Sequence, residues 1–307
     1  MSGGSTRVIL TALAANVGIA IAKFIAAGIT GSSAMLTEGI HSLVDSTNHV
    51  LLLYGTKRAM TPPDKIHPLG YGRELYFWSF VVAILVFALG SGVSVYEGFH
   101  HIRNPEPLSD PLVAYIVLAF AFILEGWSTM VAFKGFNAVR GKQNLWQAIR
   151  SSKDAPTIVI LLENSGAMVG IVVAAIGLAI SHASENPAWD GAASVLIGII
   201  LGLIAILLAV EAKGLLIGES ADPALIADLR RIAERGVSVD GVGDVITIHH
   251  APDRIMACID INFADAVSAA DVERSVAAIE AAVAHALPTI CRVFIRPVES
   301  VAGHALS

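Results

Sequence analysis

The chain has 307 residues, of which 55% are hydrophobic and only 15% charged, with a formal net charge of −6 and 2 cysteines. Soluble domains are about 45–50% apolar and about 25% charged, so the composition excludes an ordinary soluble enzyme. It equally excludes a disordered chain, a disulfide scaffold and a basic nucleic-acid binder.

Long apolar runs fill residues 8–29, 33–56, 75–99, 111–136, 157–182 and 191–217. A hydrocarbon core about 30 Å thick needs about 20 helical residues, so each run can span it and six transmembrane helices are expected. The first run is long, lacks a small-residue cleavage site and is followed directly by another span. It is therefore expected to stay in the mature protein rather than act as a signal peptide. With the N-terminus inside, the loops after spans two and four carry Lys57, Arg58, Lys65 and Arg73, then Lys134, Arg140, Lys142, Arg150 and Lys153. The outward loops carry only Arg103, so both termini are expected in the cytoplasm, with a bacterial inner membrane as the location. Cys258 and Cys291 would stay reduced there; they have no C-x-x-C spacing and read as buried thiols.

After Gly218 the composition becomes that of a soluble domain. Pro223 to Arg235 has helical spacing, Gly243 to His250 and Arg254 to Phe263 read as strands joined by Ala251-Pro252-Asp253, Ser268 to Ala286 reads as a second helix and Thr289 to Val298 as a third strand. This α-β-β-α-β order suits a small α+β sheet with helices on one face. The expected organisation is a six-helix transmembrane transport domain over 1–218, a cytoplasmic domain over 219–298 and a tail over 299–307. No G-x-x-x-x-G-K or G-x-G-x-x-G occurs to suggest a nucleotide site.

Ionisable side chains in hydrocarbon are costly, which makes Lys23, Glu38, His41, Asp45, His49, Glu97, Glu125, Glu163 and Glu211 functional candidates. Residues four apart share a helix face, so His41, Asp45 and His49 form one stripe on span two, and an imidazole beside a carboxylate is half of a divalent-metal site. An interhelical hydrogen-bond pair is the duller reading. On span five, Glu163-Asn164 lies about 12 Å from the cytoplasmic end, a depth that agrees with His41 and Asp45. Adjacent residues point about 100° apart, so one or both of Glu163 and Asn164 would serve as ligands. Lys23 and Glu125 read as neutralising one another or water-facing groups, and Asn16 as bonding across the bundle or sitting beside the ion. In the loop from Pro62 to Glu74, Asp64 and His67 lie three residues apart and read as a second metal site or a solvated turn at the cytoplasmic entrance.

Together these segments resemble the cation diffusion facilitator family of divalent-metal/proton antiporters. The resemblance rests on Thr30-Gly-Ser-Ser-Ala-Met-Leu-Thr-Glu-Gly-Ile-His-Ser-Leu-Val-Asp45, on His67-Pro-Leu-Gly-Tyr-Gly-Arg-Glu74, and on Asp190-Gly-Ala-Ala-Ser-Val-Leu-Ile-Gly198 with Leu215-Leu-Ile-Gly-Glu219. Span five, with Asp154-Ala-Pro and Leu161-Leu-Glu-Asn164, is similar to the subgroup that includes mitochondrial-type zinc transporters. The resemblance implies an intramembrane site shared by spans two and five, a ferredoxin-like cytoplasmic domain and a homodimer. It places His41 and Asp45 in the span-two half-site and Asn164 where the family usually has a carboxylate. Ile160 stands where many zinc members have His, which makes Glu163 the natural substitute. Tyr71 stands where the loop often has His, so a loop site rests on Asp64 and His67. In the cytoplasmic domain, His249, His250 and His285 read as ordinary surface histidines.

Ligation needs neutral imidazole and ionised carboxylate, so metal and protons compete for the same groups and exchange follows. The transported ligand is expected to be Zn²⁺, with Cd²⁺, Fe²⁺, Co²⁺ or Mn²⁺ compatible, and no prosthetic group is expected. The rivals are an intramembrane metal-dependent hydrolase, which lacks an H-E-x-x-H, a proton-coupled organic-cation carrier using Glu125 or Glu163, and a metal sensor that does not transport.

Overall fold

The computed structural model describes residues 3–30, 33–104, 111–140, 144–145, 148–149 and 152–299, without the side chains at 3, 4, 27, 29, 30, 33–41, 44, 111 and 139. The chain falls into two compact units, one of residues 2–61 and 74–213, the other of residues 62–73 and 214–307 together with Met1.

The first unit consists of helical rods: α1 (Gly3–Thr30), α2 (Ser33–Ala59), a continuous rod of α3 (Glu74–Leu85), a π-helical stretch (Val86–Gly92) and α4 (Val93–Arg103), then α5 (Pro111–Arg140), α6 (Ala155–Ser184) and α7 (Ala188–Ile217). Among the described residues, five stretches are long and apolar enough to cross a membrane: Ser5–Ala26, Glu74–Arg103, Leu112–Ala138, Ala155–Ser184 and Ala188–Ile217. The sixth expected span corresponds to α2, whose 27 residues include the polar stripe from Glu38 to His49. Its core is apolar and drawn from all the rods, with Ile9 and Ala12 of α1, Leu52 of α2, Val82 of α3, Ala132 of α5, Ile160 of α6 and Leu208 of α7 among its members. Large side chains such as Ile21, Ile123, Leu203 and Ile206 point outward instead, as lipid-facing residues do.

The second unit has the element order α8 (Pro223–Glu234), β1 (Val239–Ala251), β2 (Arg254–Phe263), α9 (Ala269–Ala286) and β3 (Ile290–Pro297). The sheet order is β1-β2-β3, with β1 antiparallel and β3 parallel to β2. Alternate β2 residues, Ile255, Ala257, Ile259 and Ile261, face a core that also contains Leu229 and Ala233 of α8 and Ile279 and Val283 of α9. α8 starts where Asp222 accepts from the Ala224 amide at 2.8 Å before Pro223 sets the first turn. α9 starts in a reciprocal box between Ser268 and Asp271.

Two expectations fail here. Cys258 and Cys291 are exposed thiols, because Cys258 alternates with buried Ala257 and Ile259, and Cys291 follows buried Ile290 at the start of an edge strand. His249 and His250 are buried, not surface groups. The His249 amide donates to the Glu219 carbonyl at 3.0 Å, so the segment entering α8 covers the end of β1.

Candidate functional site

The start of α6 fixes where its polar residues fall. The Asp154 carboxylate accepts from the hydroxyls of Ser5 and Thr157, each at 2.7 Å, and Pro156 sits in the first turn. Glu163 and Asn164 follow about 12 Å further along the axis and are 8% and 2% exposed. As successive helical residues they diverge, and each finds a different neighbour. Asn48 of α2 donates to Glu163 Oε1 at 3.4 Å, whereas Asn164 donates to the Ser128 hydroxyl of α5 at 2.6 Å.

The stripe on α2 divides in the same way. Asn48 faces α6, while His49, fully buried, sets its Nε2 3.0 Å from Asn16 Nδ2 on α1. Asn16 therefore bonds across the bundle. Asp45 lies one turn before both residues, within Coulombic reach of Glu163 and of Glu125 on α5. Lys23 of α1 acts on Glu125 and donates to the Ser42 hydroxyl at 2.8 Å. The expectation that Lys23 and Glu125 offset one another thus has a geometric basis, but Glu125 also belongs to the acidic group around Glu163. The side chain of His41 lies outside the described residues.

Among the described residues, two buried carboxylates and a half-buried one from three helices face one ammonium and leave an excess of negative charge if all are ionised. Isolated ions in a low dielectric are too costly to persist, so a cation or bound protons must offset that excess. The buried atoms Asn48 Oδ1, Glu125 Oε2 and Glu163 Oε2 have no hydrogen-bond partner among the described residues. They are oxygen acceptors, the donor type that hard and borderline divalent cations take. Among the described residues, no group of three or more His, Cys, Asp or Glu side chains is drawn tightly enough to hold a metal ion.

The loop between α2 and α3 brings Asp64 and His67 together as a closed turn. Asp64 Oδ1 accepts from the amides of Ile66 at 2.9 Å and His67 at 2.6 Å, and Oδ2 accepts from the Tyr71 hydroxyl at 2.7 Å. The His67 ring packs on Tyr71, with centroids 4.2 Å apart, and its Nδ1 stands 3.8 Å from Asp64. The His67 amide first, then the Tyr71 hydroxyl, hold the Asp64 carboxyl below its ordinary value.

Sequence reading did not anticipate Ser128, the partner of Asn164; a serine one turn after a glutamate on an apolar helix was the available signal. It read Glu125 as a counter-charge to Lys23 or to water-facing groups and did not join it to Asp45 and Glu163, because the pairing of helix faces is set by packing rather than by spacing along one helix.

The profile of the cation efflux transmembrane domain matches residues 9–217. The chain is 32% identical over 244 residues to the human "Proton-coupled zinc antiporter SLC30A9, mitochondrial", which covers 79% of this chain and 43% of that protein. It is 29% identical over 262 residues to "Metal tolerance protein C4" of Arabidopsis thaliana, covering 84% of this chain and 57% of the relative. It is 22% identical over 234 residues to "Manganese efflux system protein MneP" of Bacillus subtilis, covering 74% of each. The chain thus spans less than half the length of the mitochondrial antiporter.

Proposed function

The chain belongs to the cation efflux family, in its mitochondrial-type subgroup, and on that premise we propose that it exports a divalent metal cation, zinc first, in exchange for protons. The family consists of transporters rather than enzymes, and the chain is an integral membrane protein. The reading rests on one observation above all: the half-buried carboxylate of Asp45 and the buried carboxylates of Glu125 and Glu163 lie within electrostatic reach of one another, with Asn48 bridging α2 to α6.

In this reading α2 crosses the membrane as span two, and His41, Asp45 and Glu163 bind the metal near mid-membrane. Asn164, held by Ser128, completes or orients the site, and His49 steadies α2 against α1. Asp64 and His67 form an auxiliary site at the cytoplasmic entrance, reached by opening their turn. The transport domain runs over 1–218, the ferredoxin-like domain over 219–298 pairs two chains as a homodimer, and residues 299–307 form a tail. Both termini are cytoplasmic in a bacterial inner membrane.

Metal and protons use the same ligands, so each expels the other, and alternating exposure to the two sides converts that competition into exchange. The ligand set has no thiolate, which leaves geometry to choose among Zn²⁺, Mn²⁺, Fe²⁺, Co²⁺ and Cd²⁺. Vesicles reconstituted with the protein and loaded with metal and pH reporters test this. Wild type moves zinc one way and protons the other, and Asp45→Ala and Glu163→Ala lose both fluxes. Zinc flux that persists at the wild-type rate in Asp45→Ala contradicts the site.

A further inference from the structure

The second unit holds a basic cluster of Arg73, His250 and Arg254 that the proposed transport does not use. Residues 62–73 lie close against the end of β1, where a Cβ on Gly72 would stand 2.5 Å from the His250 carbonyl oxygen. Gly70, at φ +84°, comes as near to Arg254, since a Cβ there would lie 3.3 Å from Nη1. Arg73 reaches across to Gly218, whose own Cβ would lie 3.3 Å from Nη2 of that guanidinium.

These approaches set two guanidiniums about one imidazole. His250 is 9% exposed, and its Nε2 is buried without a hydrogen-bond partner among the described residues. The Nε of Arg73 is likewise buried and has no partner among them. Burial first, then Arg73 and Arg254, hold the His250 ring below its ordinary value, so at neutral pH it is uncharged and keeps one N–H to donate. Both charges acting on the ring are positive. Two like charges, an unmade Arg73 Nε–H and an unpaired ring nitrogen are unfavourable together, and an oxyanion would satisfy all of them at once with the imidazole proton on Nε2.

We propose that Arg73, His250 and Arg254 form a binding site for a phosphate-class oxyanion. Two planar guanidinium forks and an imidazole together offer more donors than a carboxylate can use, which suits a group with three oxygens and more than one negative charge. A phospholipid headgroup and a free phosphate share this chemistry. The site is independent of the proposed transport function.

The test uses the full chain purified in detergent and titrated with inorganic phosphate by calorimetry, and the full chain in nanodiscs of phosphatidylcholine with or without phosphatidic acid, read by thermal unfolding. Wild type shows saturable binding or stabilisation in at least one arm. Arg73→Gln and Arg254→Gln each weaken it by about tenfold or more, as loss of a charge-assisted fork would. Arg231→Gln, on exposed α8 and paired with Asp228 at 2.9 Å, leaves it unchanged. An effect of inorganic phosphate in detergent assigns a soluble ligand, and an effect confined to phosphatidic acid assigns a lipid headgroup. If Arg73→Gln fails to elute as a folded species, Arg254→Gln decides alone. Absence of a response in both arms, a response unchanged by Arg254→Gln, or an equal loss in Arg231→Gln overturns the proposal.

Discussion

Replacing Gly177 by valine tests whether α6 is held in place by close contact with α7. A Cβ at Gly177 would lie 2.5 Å from the Cβ of Ala193 and 3.4 Å from the Trp189 carbonyl oxygen. Ordinary carbon contacts are about 3.5–4.0 Å, so the helices must part locally by about 1 Å. Overpacking of this kind costs about 1–3 kcal/mol, against a helix-propensity gain of a few tenths for replacing glycine by valine. The expected net loss is about 2 kcal/mol, or a fall of roughly 4–8 °C in unfolding midpoint for a unit of this size. Gly28 provides the matched control, because a Cβ there meets nothing within 4 Å among the described residues. Gly28→Val should shift the midpoint by less than about 2 °C, the effect of a surface change of about 0.5 kcal/mol. Gly177 lies about 20 Å along α6 from Glu163, so zinc affinity in folded Gly177→Val should stay close to wild type. Equal shifts in the two variants, or no shift in Gly177→Val, would refute the packing argument.

Further outcomes follow from other contacts. The Asp64 carboxyl is held below its ordinary value, so its contribution to the loop is complete above the unfolded value of about 3.9 and is lost as pH falls through the lower folded value. Amide exchange at Ile66 and His67 should therefore stay slow at pH 5 and accelerate only well into the acid range; acceleration between pH 7 and 5 would contradict the turn. Asn48→Ala removes the donor to Glu163 and should weaken zinc binding about five- to tenfold, the effect of one lost hydrogen bond of about 1 kcal/mol. Unchanged affinity would mean that α2 and α6 do not share the site. Ser268→Ala breaks the cap of α9 and should lower stability by about 1 kcal/mol in denaturant titration, while leaving transport at its wild-type rate.

Much of this architecture is legible in the sequence because the membrane and the sheet each impose a simple period. The apolar runs locate the rods within a few residues, and β2 begins and ends at the expected Arg254 and Phe263. The polar stripe on α2 and the Glu163-Asn164 pair also stand out, since polar residues in hydrocarbon are rare. Which neighbour each side chain meets is not legible. Asn48 turns to Glu163 while its neighbour His49 turns to Asn16, and nothing in the local spacing says so. His249 and His250 look like surface residues because the segments that cover them come from Glu219 and from residues 62–73, distant in the chain. The π-helical stretch from Val86 to Gly92 carries no signal beyond its glycines, which the apolar pattern absorbs.

The central claim is that metal and protons compete for one set of groups inside the bundle that includes Asp45 and Glu163. Zinc binding to the purified chain, followed by calorimetry in buffers of different ionisation enthalpy, counts the protons released per metal bound. Wild type should release protons on binding zinc, and Asp45→Asn and Glu163→Gln should each release fewer while binding more weakly. Zinc binding with the same proton release in all three proteins would contradict the account.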